Sequence, residues 1–447
     1  IDKLERRVGA VLRANPWLGG WLVRGKGIGS FDLDNAPRLW YDPTGEEMAP
    51  GTFKRFGHDN VPLDKDTPYE SYESIMREAV TVKINDEIVG RKEEPLFRVA
   101  VVPSSDELAL VVSMSHICGD AHTFYRLYNM VVGNGPISSM TPKRPWIYNQ
   151  KVMKKMGREE ARYVADITTD PAWMKLFRLG SSNVKEDEGS KLRGRAFFID
   201  KVWITNMKAS RMVNGGVELS HKPNIFASTL RSPMTPASLK ELEGDDADAN
   251  ATHSTNDILV AFFWTLLNPD VGLMAVNFRG RLEGDGGEGS DAITRDHAGN
   301  YANPIPYTKA DYGSPALIRK SLESCRRAGA TEVGHRDSAT RTTLPRPHPD
   351  LTFSVVTNWS SFLRGKEEER KGEDDDGATN WRGDARLVRH LPVVYPRRMM
   401  EKMPRRMSFL VIFSSGTGDV GCVLIAPGHA MEEIDACGVV GEPIAEF

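Results

Sequence analysis

Cysteine is scarce in this sequence, and its few thiols lie far apart. The four cysteines are Cys118, Cys325, Cys422 and Cys437, and no two of them are separated by only two residues. This spacing excludes a zinc site of the usual Cys-x-x-Cys type, and we expect no resident metal. A chain of this length needs no disulfides to stabilise a core, so we expect reduced thiols in the cytoplasm or in the lumen of an organelle.

The sequence also lacks a long apolar run and an excess of one charge. No apolar run approaches the roughly 18 residues that a membrane-spanning helix needs, so no integral membrane segment is predicted. Lys and Arg number 58 against 61 Asp and Glu, whereas nucleic-acid binders usually carry a basic excess, so we expect no nucleic-acid partner. The chain begins with Ile1 instead of Met, and we expect a longer precursor, which leaves a targeting peptide open.

Two other kinds of site are absent as well. The segment Gly25–Ser30 resembles a phosphate-binding loop only in its glycines, because the Gly-Lys-Ser/Thr ending is missing. The stretches 241–250, 283–291 and 364–380 are rich in Asp, Glu and Gly but lack the ligand spacing of an EF-hand. We interpret these acidic stretches as solvated surface loops.

Apolar side chains recur at helical or alternating spacing along the chain, which predicts a mixture of helices and strands. Helices are predicted at 4–12, 70–90 and 122–132, and another begins at the N-cap residue Ser254. A turn into a strand is predicted over 17–23, and strands are predicted at 97–102, 108–114, 197–204, 274–278, 353–356, 409–413 and 420–425. The stretch 133–190, rich in Lys, Arg, Pro and Gly, is predicted to be a long connection with an amphipathic piece near 151–165.

The segment from Leu108 to Asp120 carries the strongest chemical signal. Alternate residues of a strand share a face, so the apolar side chains from Leu108 to Met114 fix the strand in a core. His116 is expected at the end of this strand. Gly119 permits a sharp turn before the next helix. An imidazole on such a rigid support suits general-base chemistry near neutral pH. A strand-end histidine that only bonds a backbone carbonyl is the structural alternative.

Neighbouring residues suggest two further hypotheses for this segment. His122, with Cys118 and Asp120, suggests a metal site, but the turn from strand to helix makes the three side chains diverge. Cys118 is two residues from His116, so a cysteine nucleophile beside a histidine base stays open as a minor alternative.

Further motifs follow in a fixed order along the chain. They are Leu12–Gly20, the His-x-x-x-Asp segment Ser115–Asp120, Leu239-Lys240, Ser254–Asp257, Val276–Leu282, Gly299–Tyr301 and Thr357–Trp359. In this order the motifs resemble those of the chloramphenicol-acetyltransferase-like superfamily, which includes the plant BAHD acyltransferases and condensation domains. Ala121 stands where a glycine is usual, and Trp381–Asp384 replaces the Asp-Phe-Gly-Trp-Gly motif. The resemblance is therefore to a divergent member.

The resemblance implies a role for each matched residue. His116 would be the general base, and Asp120 would point away from the substrate and pair with Arg279, which holds the turn. The alternative, in which Asp120 orients the imidazole as in a catalytic triad, stays open. The Thr357 hydroxyl and the Trp359 indole would both donate hydrogen bonds to the oxyanion of the tetrahedral intermediate.

Other matched residues would support the site. Gly119 and Asn300 would support its structure, and Ser254 with Thr255 would line the pantetheine arm of coenzyme A. For Ser254 and Thr255, an ordinary helix N-cap without a role in binding is an equally good interpretation. For Trp359, the alternative is an aromatic side chain that only packs in the core.

The implied fold is α/β, with two similar-sized domains, 1-190 and 191-447, each a mixed β-sheet flanked by helices, and an active-site tunnel at their interface. The implied protein is a monomeric acyltransferase without a bound cofactor. It would move an acyl group from acyl-CoA, its co-substrate, to a hydroxyl or amine of a small-molecule acceptor. Two alternatives are a condensation-type enzyme with a carrier-protein-bound donor and a non-catalytic binding protein on the same fold.

Overall fold

The computed structural model divides into two compact units. Unit 1 consists of Ile1–Trp146, Gly286–Tyr301 and Ser361–Val393, and unit 2 consists of Ile147–Asp285, Ala302–Ser360 and Val394–Phe447. The structure describes residues 1–24, 37–44, 50–76, 80–83, 88–133, 135–173, 191–214, 253–282, 292–328, 343–348, 350–363, 387, 389–392, 403 and 406–446. The expected division at residue 190 lies outside these ranges and stays a prediction.

Unit 1 contains a small antiparallel pair of strands and a three-stranded mixed sheet. Its elements are α1 (Asp2–Ala14), β1 (Trp21–Arg24), β2 (Pro37–Trp40), β3 (Phe53–Arg55), α2 (Tyr72–Ile75), β4 (Phe97–Pro103), β5 (Leu108–Met114) and α3 (Ala121–Val132). Strand β1 pairs with β2, and β4 is the middle strand of the other sheet, parallel to β3 and antiparallel to β5. Phe97 lies opposite Met114, as the predicted hairpin requires.

Strand β4 is buried on both faces, which fixes the position of β5 beside it. Phe97, Val99 and Val101 pack in the cluster formed with α1 and α3, while Ala100 and Val102 pack on the other side with α2. The alternate apolar residues of β5 follow the same division, and the set from Leu108 to Met114 that was predicted to share a face packs against the α1 and α3 cluster.

The helix predicted over 70–90 is wrong over most of the part of this segment that the structure describes. An α-helix spans Tyr72–Ile75, after a 3₁₀ turn at Tyr69–Ser71. Thr81 and Val82 are not helical, and the Val82 N–H donates to the Ser113 hydroxyl of β5 (3.0 Å). Tertiary packing of the β-branched residues therefore overrides the helical spacing.

Unit 2 is built on a seven-stranded mixed sheet. Its elements are α4 (Tyr148–Met156), α5 (Arg158–Thr169), β6 (Leu192–Ile199), α6 (Lys201–Asn214), α7 (Thr255–Leu267), β7 (Val271–Asn277), β8 (Ala302–Tyr307), α8 (Lys309–Tyr312), α9 (Pro315–Ser324), β9 (Phe353–Asn358), β10 (Met407–Ser414), β11 (Val420–Pro427), α10 (Gly428–Ala436) and β12 (Val440–Glu446). The strand order is β12-β6-β11-β10-β9-β7-β8, and β9 lies parallel to both β10 and β7. The predicted α/β class with a mixed sheet in each half is confirmed.

Two sequence predictions in unit 2 are wrong in part. The predicted connection over 133–190 contains two regular helices, α4 and α5, which overlap the amphipathic piece noted near 151–165. The strand predicted to end at Ile204 ends at Ile199, because the Asp200 carboxylate accepts from the Trp203 N–H (2.7 Å) and starts α6.

Candidate active site

His116 lies in a turn directly after β5, not at the end of the strand itself. Strand β5 ends at Met114, Ser115 is buried, and residues 116–118 form a turn. Ile117 and Cys118 pack against the apolar cluster of Leu22, Ile88 and Leu96. The His116 side chain is exposed, and its ring makes no hydrogen bond to any residue that the structure describes. The turn is therefore anchored by its neighbours while the imidazole remains accessible.

Asn300 holds the backbone of this turn from a distant part of the sequence. Its side-chain amide donates to the carbonyl oxygens of His116 (2.8 Å) and Ile117 (3.3 Å). Two donors on one planar amide restrain two successive peptide groups, and this limits the directions in which the imidazole can point. A role for this restraint in catalysis stays a prediction.

Asp120 is the N-cap of α3 and also binds the backbone near Asn300. Its Oδ1 accepts from the Thr123 N–H (3.1 Å), and its Oδ2 accepts from the Tyr301 N–H (2.9 Å). Its own N–H donates to the Gly299 carbonyl (3.2 Å). The carboxylate does not bond the His116 ring, so it does not orient the imidazole as the aspartate of a triad would.

Arg279, the expected partner of Asp120, is a buried residue of unit 2 just after β7. Its Nη1 and its backbone N–H both donate to Asn277 Oδ1, each at 3.1 Å. The ion pair between Asp120 and Arg279 would join residues of the two units, and it stays a prediction.

Gly119 is required for a steric reason. A Cβ atom there would lie 2.7 Å from Cβ and Cγ2 of Thr123 and 3.1 Å from Cε of Met114.

We expect Gly119→Ala to lower the free energy of unfolding by about 1–3 kcal/mol, because the β-branched Thr123 must shift at the first turn of α3. Thermal unfolding measures this loss. Gly57→Ala is the matched control, since its nearest atom lies 3.8 Å away; equal melting temperatures for the two variants would contradict the crowding.

Cys118 is not in the state that a thiolate nucleophile needs. Its side chain packs in the core beside Ile117, and burial raises the pKa of the thiol to about 12. With that pKa only about one thiol in 10⁵ is ionised at pH 7.

We therefore expect native Cys118 to react with iodoacetamide far more slowly than the same thiol in the denatured chain. Peptide mapping of the two samples by mass spectrometry measures the difference. Equal rates of Cys118 alkylation would restore the cysteine-nucleophile alternative.

Thr357 and Trp359 lie together in unit 2, at the end of β9. The Trp359 indole Nε1 donates to the Thr357 hydroxyl oxygen at 2.8 Å. Both side chains are half-buried. The two expected oxyanion donors are thus linked, because the indole N–H is directed at the threonine.

Ser254 is the N-cap of α7. Its hydroxyl accepts from the Asp257 N–H (3.3 Å), and the Asp257 carboxylate accepts in return from the Ser254 N–H (2.9 Å). Asn256 in the same turn accepts from the Asn358 side-chain amide (2.6 Å), which brings this end of α7 to the end of β9. A role of Ser254 and the half-buried Thr255 towards pantetheine stays a prediction.

The other sequence candidates carry no site in the described structure. His122 Nε2 lies 3.1 Å from the Arg295 carbonyl oxygen, and its ring packs edge-on to Phe362. Among the described residues, no group of three or more His, Cys, Asp or Glu side chains could hold a metal ion. No described helix is both long enough and apolar enough to cross a membrane.

Some sequence candidates lie outside the described residues. They are Gly25–Ser30, Leu239-Lys240, Trp381–Asp384 and the acidic stretches 241–250, 283–291 and 364–380.

Sequence reasoning missed Thr123 and the Tyr301 backbone, which both bind the Asp120 carboxylate. A signal for Thr123 was present, since Asp120 precedes the predicted helix and Thr123 is three residues further on, where an N-cap side chain finds its donor. The contact to Tyr301 had no local signal, because 181 residues separate the two partners.

Comparison with known proteins supports the fold through structure alone. No protein-family model and no curated protein sequence matches the chain. A crystal structure of F. sporotrichioides TRI101 with coenzyme A and T-2 is similar at 13% identity and a TM-score of 0.52, over 99% of this chain and 91% of that chain. F. graminearum TRI101 with coenzyme A and T-2 mycotoxin is similar at 12% identity and a TM-score of 0.50, with the same coverage. The two-domain α/β fold implied by the motifs is confirmed, at a divergence that leaves the activity to chemical argument, and the tunnel between the domains stays a prediction.

Proposed function

We propose that this chain, a divergent protein with the chloramphenicol-acetyltransferase-like fold, is an acyltransferase that moves an acyl group from acyl-CoA to a hydroxyl or amine of a small-molecule acceptor. The observation that carries the proposal is the accessible imidazole of His116 on a turn that its own neighbours and Asn300 hold in place. A general base must be both rigidly positioned and open to the proton that it removes.

The reaction follows from the chemistry of thioesters. The imidazole of His116 takes the proton of the acceptor while the acceptor oxygen or nitrogen forms a bond to the carbonyl carbon. The carbon–sulfur bond of the tetrahedral intermediate then breaks, and the imidazolium returns the proton to the departing thiolate. The products are an ester or amide and free coenzyme A, and no acyl-enzyme forms.

Stabilisation of the oxyanion is assigned to the end of β9. The Thr357 hydroxyl is half-buried, and it has no acceptor for its own proton among the described residues, so it can donate to an oxyanion. Such a donor is effective because it is oriented before the charge develops.

Two other observations support the choice of substrates. The motifs from Leu12 to Trp359 occur in the order of the acyltransferase superfamily. The TRI101 structures that share this fold were solved with coenzyme A and a small molecule, T-2 or deoxynivalenol. We therefore assign a coenzyme A thioester as the donor and a small organic molecule as the acceptor.

In the first test the protein is incubated with each member of a panel of acyl-CoAs, and a thiol reagent detects the coenzyme A that is released. Water is the only acceptor in this assay, and it is a poor one. Release above the level of a His116→Ala control is the expected result. The active acyl-CoA is then incubated with a metabolite extract, and mass spectrometry identifies compounds that gain the mass of the acyl group. No release above the control with any acyl-CoA would overturn the donor assignment, and an acyl carrier protein that supports turnover would replace it.

A further inference from the structure

The hydrogen bond between Trp359 and Thr357 has a fixed direction. An indole N–H can only donate, so the Thr357 oxygen is the acceptor of the 2.8 Å contact. The threonine hydroxyl keeps its proton for another partner, and no described residue accepts it. The half-buried hydroxyl can therefore donate this proton to a ligand atom or to water.

The polypeptide around this contact is held firmly. The Trp359 backbone N–H donates to the Ile412 carbonyl of β10 (2.7 Å), and Thr357 lies opposite Val411 in the sheet. Asn358 points to the other face, where its amide donates to Asn256 and its oxygen accepts from the Ser360 N–H (2.8 Å). The relative positions of the indole and the hydroxyl are thus set by the sheet.

Thr357 lies on the same face of β9 as two residues of an apolar cluster. Phe353 and Val355, on the same face of β9, belong to a core that includes Trp173 and Val271. A half-buried hydroxyl that accepts a hydrogen bond is polarised by it, and the bond that the hydroxyl itself donates becomes stronger, by roughly 10–30% in condensed-phase estimates.

We propose that Trp359 serves the transfer reaction through Thr357: the indole N–H orients and polarises the Thr357 hydroxyl, and the hydroxyl alone donates to the oxyanion. This inference rests on the proposed acyl transfer. It makes Thr357 a catalytic residue and Trp359 a positioning residue. The rival arrangement, in which the two side chains donate to the oxyanion independently, predicts a different pattern of rates.

A double-mutant cycle on the full chain distinguishes the two arrangements. Thr357→Val removes the hydroxyl at nearly constant shape, and we expect kcat to fall about 10²–10³-fold with little change in KM, as for other oxyanion donors. Trp359→Phe keeps a ring without its N–H, and we expect a fall of about 3–10-fold, the size of a lost hydrogen bond of about 0.6–1.4 kcal/mol. In the Thr357→Val background, Trp359→Phe should then cost nothing further.

Thr357→Ser supplies the matched control. Serine keeps the hydroxyl but lacks the branch that limits its rotamers, so the single variant should retain at least a tenth of the kcat. In this background Trp359→Phe should cost at least as much as in the original chain, because the freer hydroxyl depends more on the indole. Melting temperatures within a few degrees show that the variants remain folded.

Each result bears on one of the two proposals. Equal penalties for Trp359→Phe in the Thr357 and the Thr357→Val backgrounds would overturn the relay and establish two independent donors. No penalty for Trp359→Phe in the original chain would overturn it as well. Absence of His116-dependent turnover in the original chain would overturn the acyl transfer itself, and the relay with it.

Discussion

Replacing His116 with alanine is expected to lower the kcat of acyl transfer by about 10²–10⁴-fold, the usual contribution of a general base. The fold should survive, because the ring is exposed and bonds no described residue, while the turn is held by Ile117, Cys118 and Asn300. Initial rates of coenzyme A release and a thermal unfolding curve measure the two effects. A large loss of rate at an unchanged melting temperature is the signature of a residue that takes part in the chemistry.

His122→Ala is the matched control for this experiment. His122 is six residues away, and its ring bonds the Arg295 carbonyl and packs on Phe362. We expect a change in kcat of no more than a fewfold, because this ring supports local packing. Near-normal turnover of a well-folded His116→Ala protein would remove His116 from the mechanism.

The second large effect is expected on stability, at Asp120. The buried carboxylate accepts from the Thr123 and Tyr301 N–H groups, which join α3 to the segment that carries Asn300. Asp120→Ala removes an N-cap and leaves two backbone donors without this acceptor. We expect the free energy of unfolding to fall by about 2–4 kcal/mol, from the cap and the unsatisfied donors together. Chemical denaturation measures the loss.

Two control variants separate the cause of this loss. Asp106→Ala removes the same charge from an exposed position, where the change should stay within about 0.5 kcal/mol. Asp120→Asn keeps one accepting oxygen, so its loss should lie between those of Asp106→Ala and Asp120→Ala. An Asp120→Ala protein that unfolds at the same denaturant concentration as the original chain would contradict this role.

The elements with strong local patterns were predictable from the sequence. Strand β5 was predicted because apolar residues alternate from Leu108 to Met114, and α7 because a capping residue, Ser254, precedes an apolar stripe. The early end of the helix at Ile75 was not predictable, because the apolar spacing stays helical beyond it, whereas the Val82 N–H bonds the distant Ser113. Local patterns fail where a distant partner decides the backbone.

The sequence by itself determined which residues are candidates for chemistry. His116, Asp120, Thr357 and Trp359 were selected from residue types and from the order of their motifs. This is possible because chemical capacity belongs to the side chain: an imidazole can take a proton, and an indole can only donate a hydrogen bond.

Only the tertiary structure decided how these residues are held. Asn300 reaches the His116 carbonyl across 184 residues, and the Tyr301 N–H reaches Asp120 across 181 residues. The direction of the Trp359 indole towards Thr357 depends on the sheet that carries Thr357 and on the hydrogen bond from the Trp359 N–H to Ile412 of the next strand. Hydrogen bonds depend on distance and angle within a few tenths of an ångström, and no local sequence pattern fixes positions so precisely between segments that meet only in the folded chain.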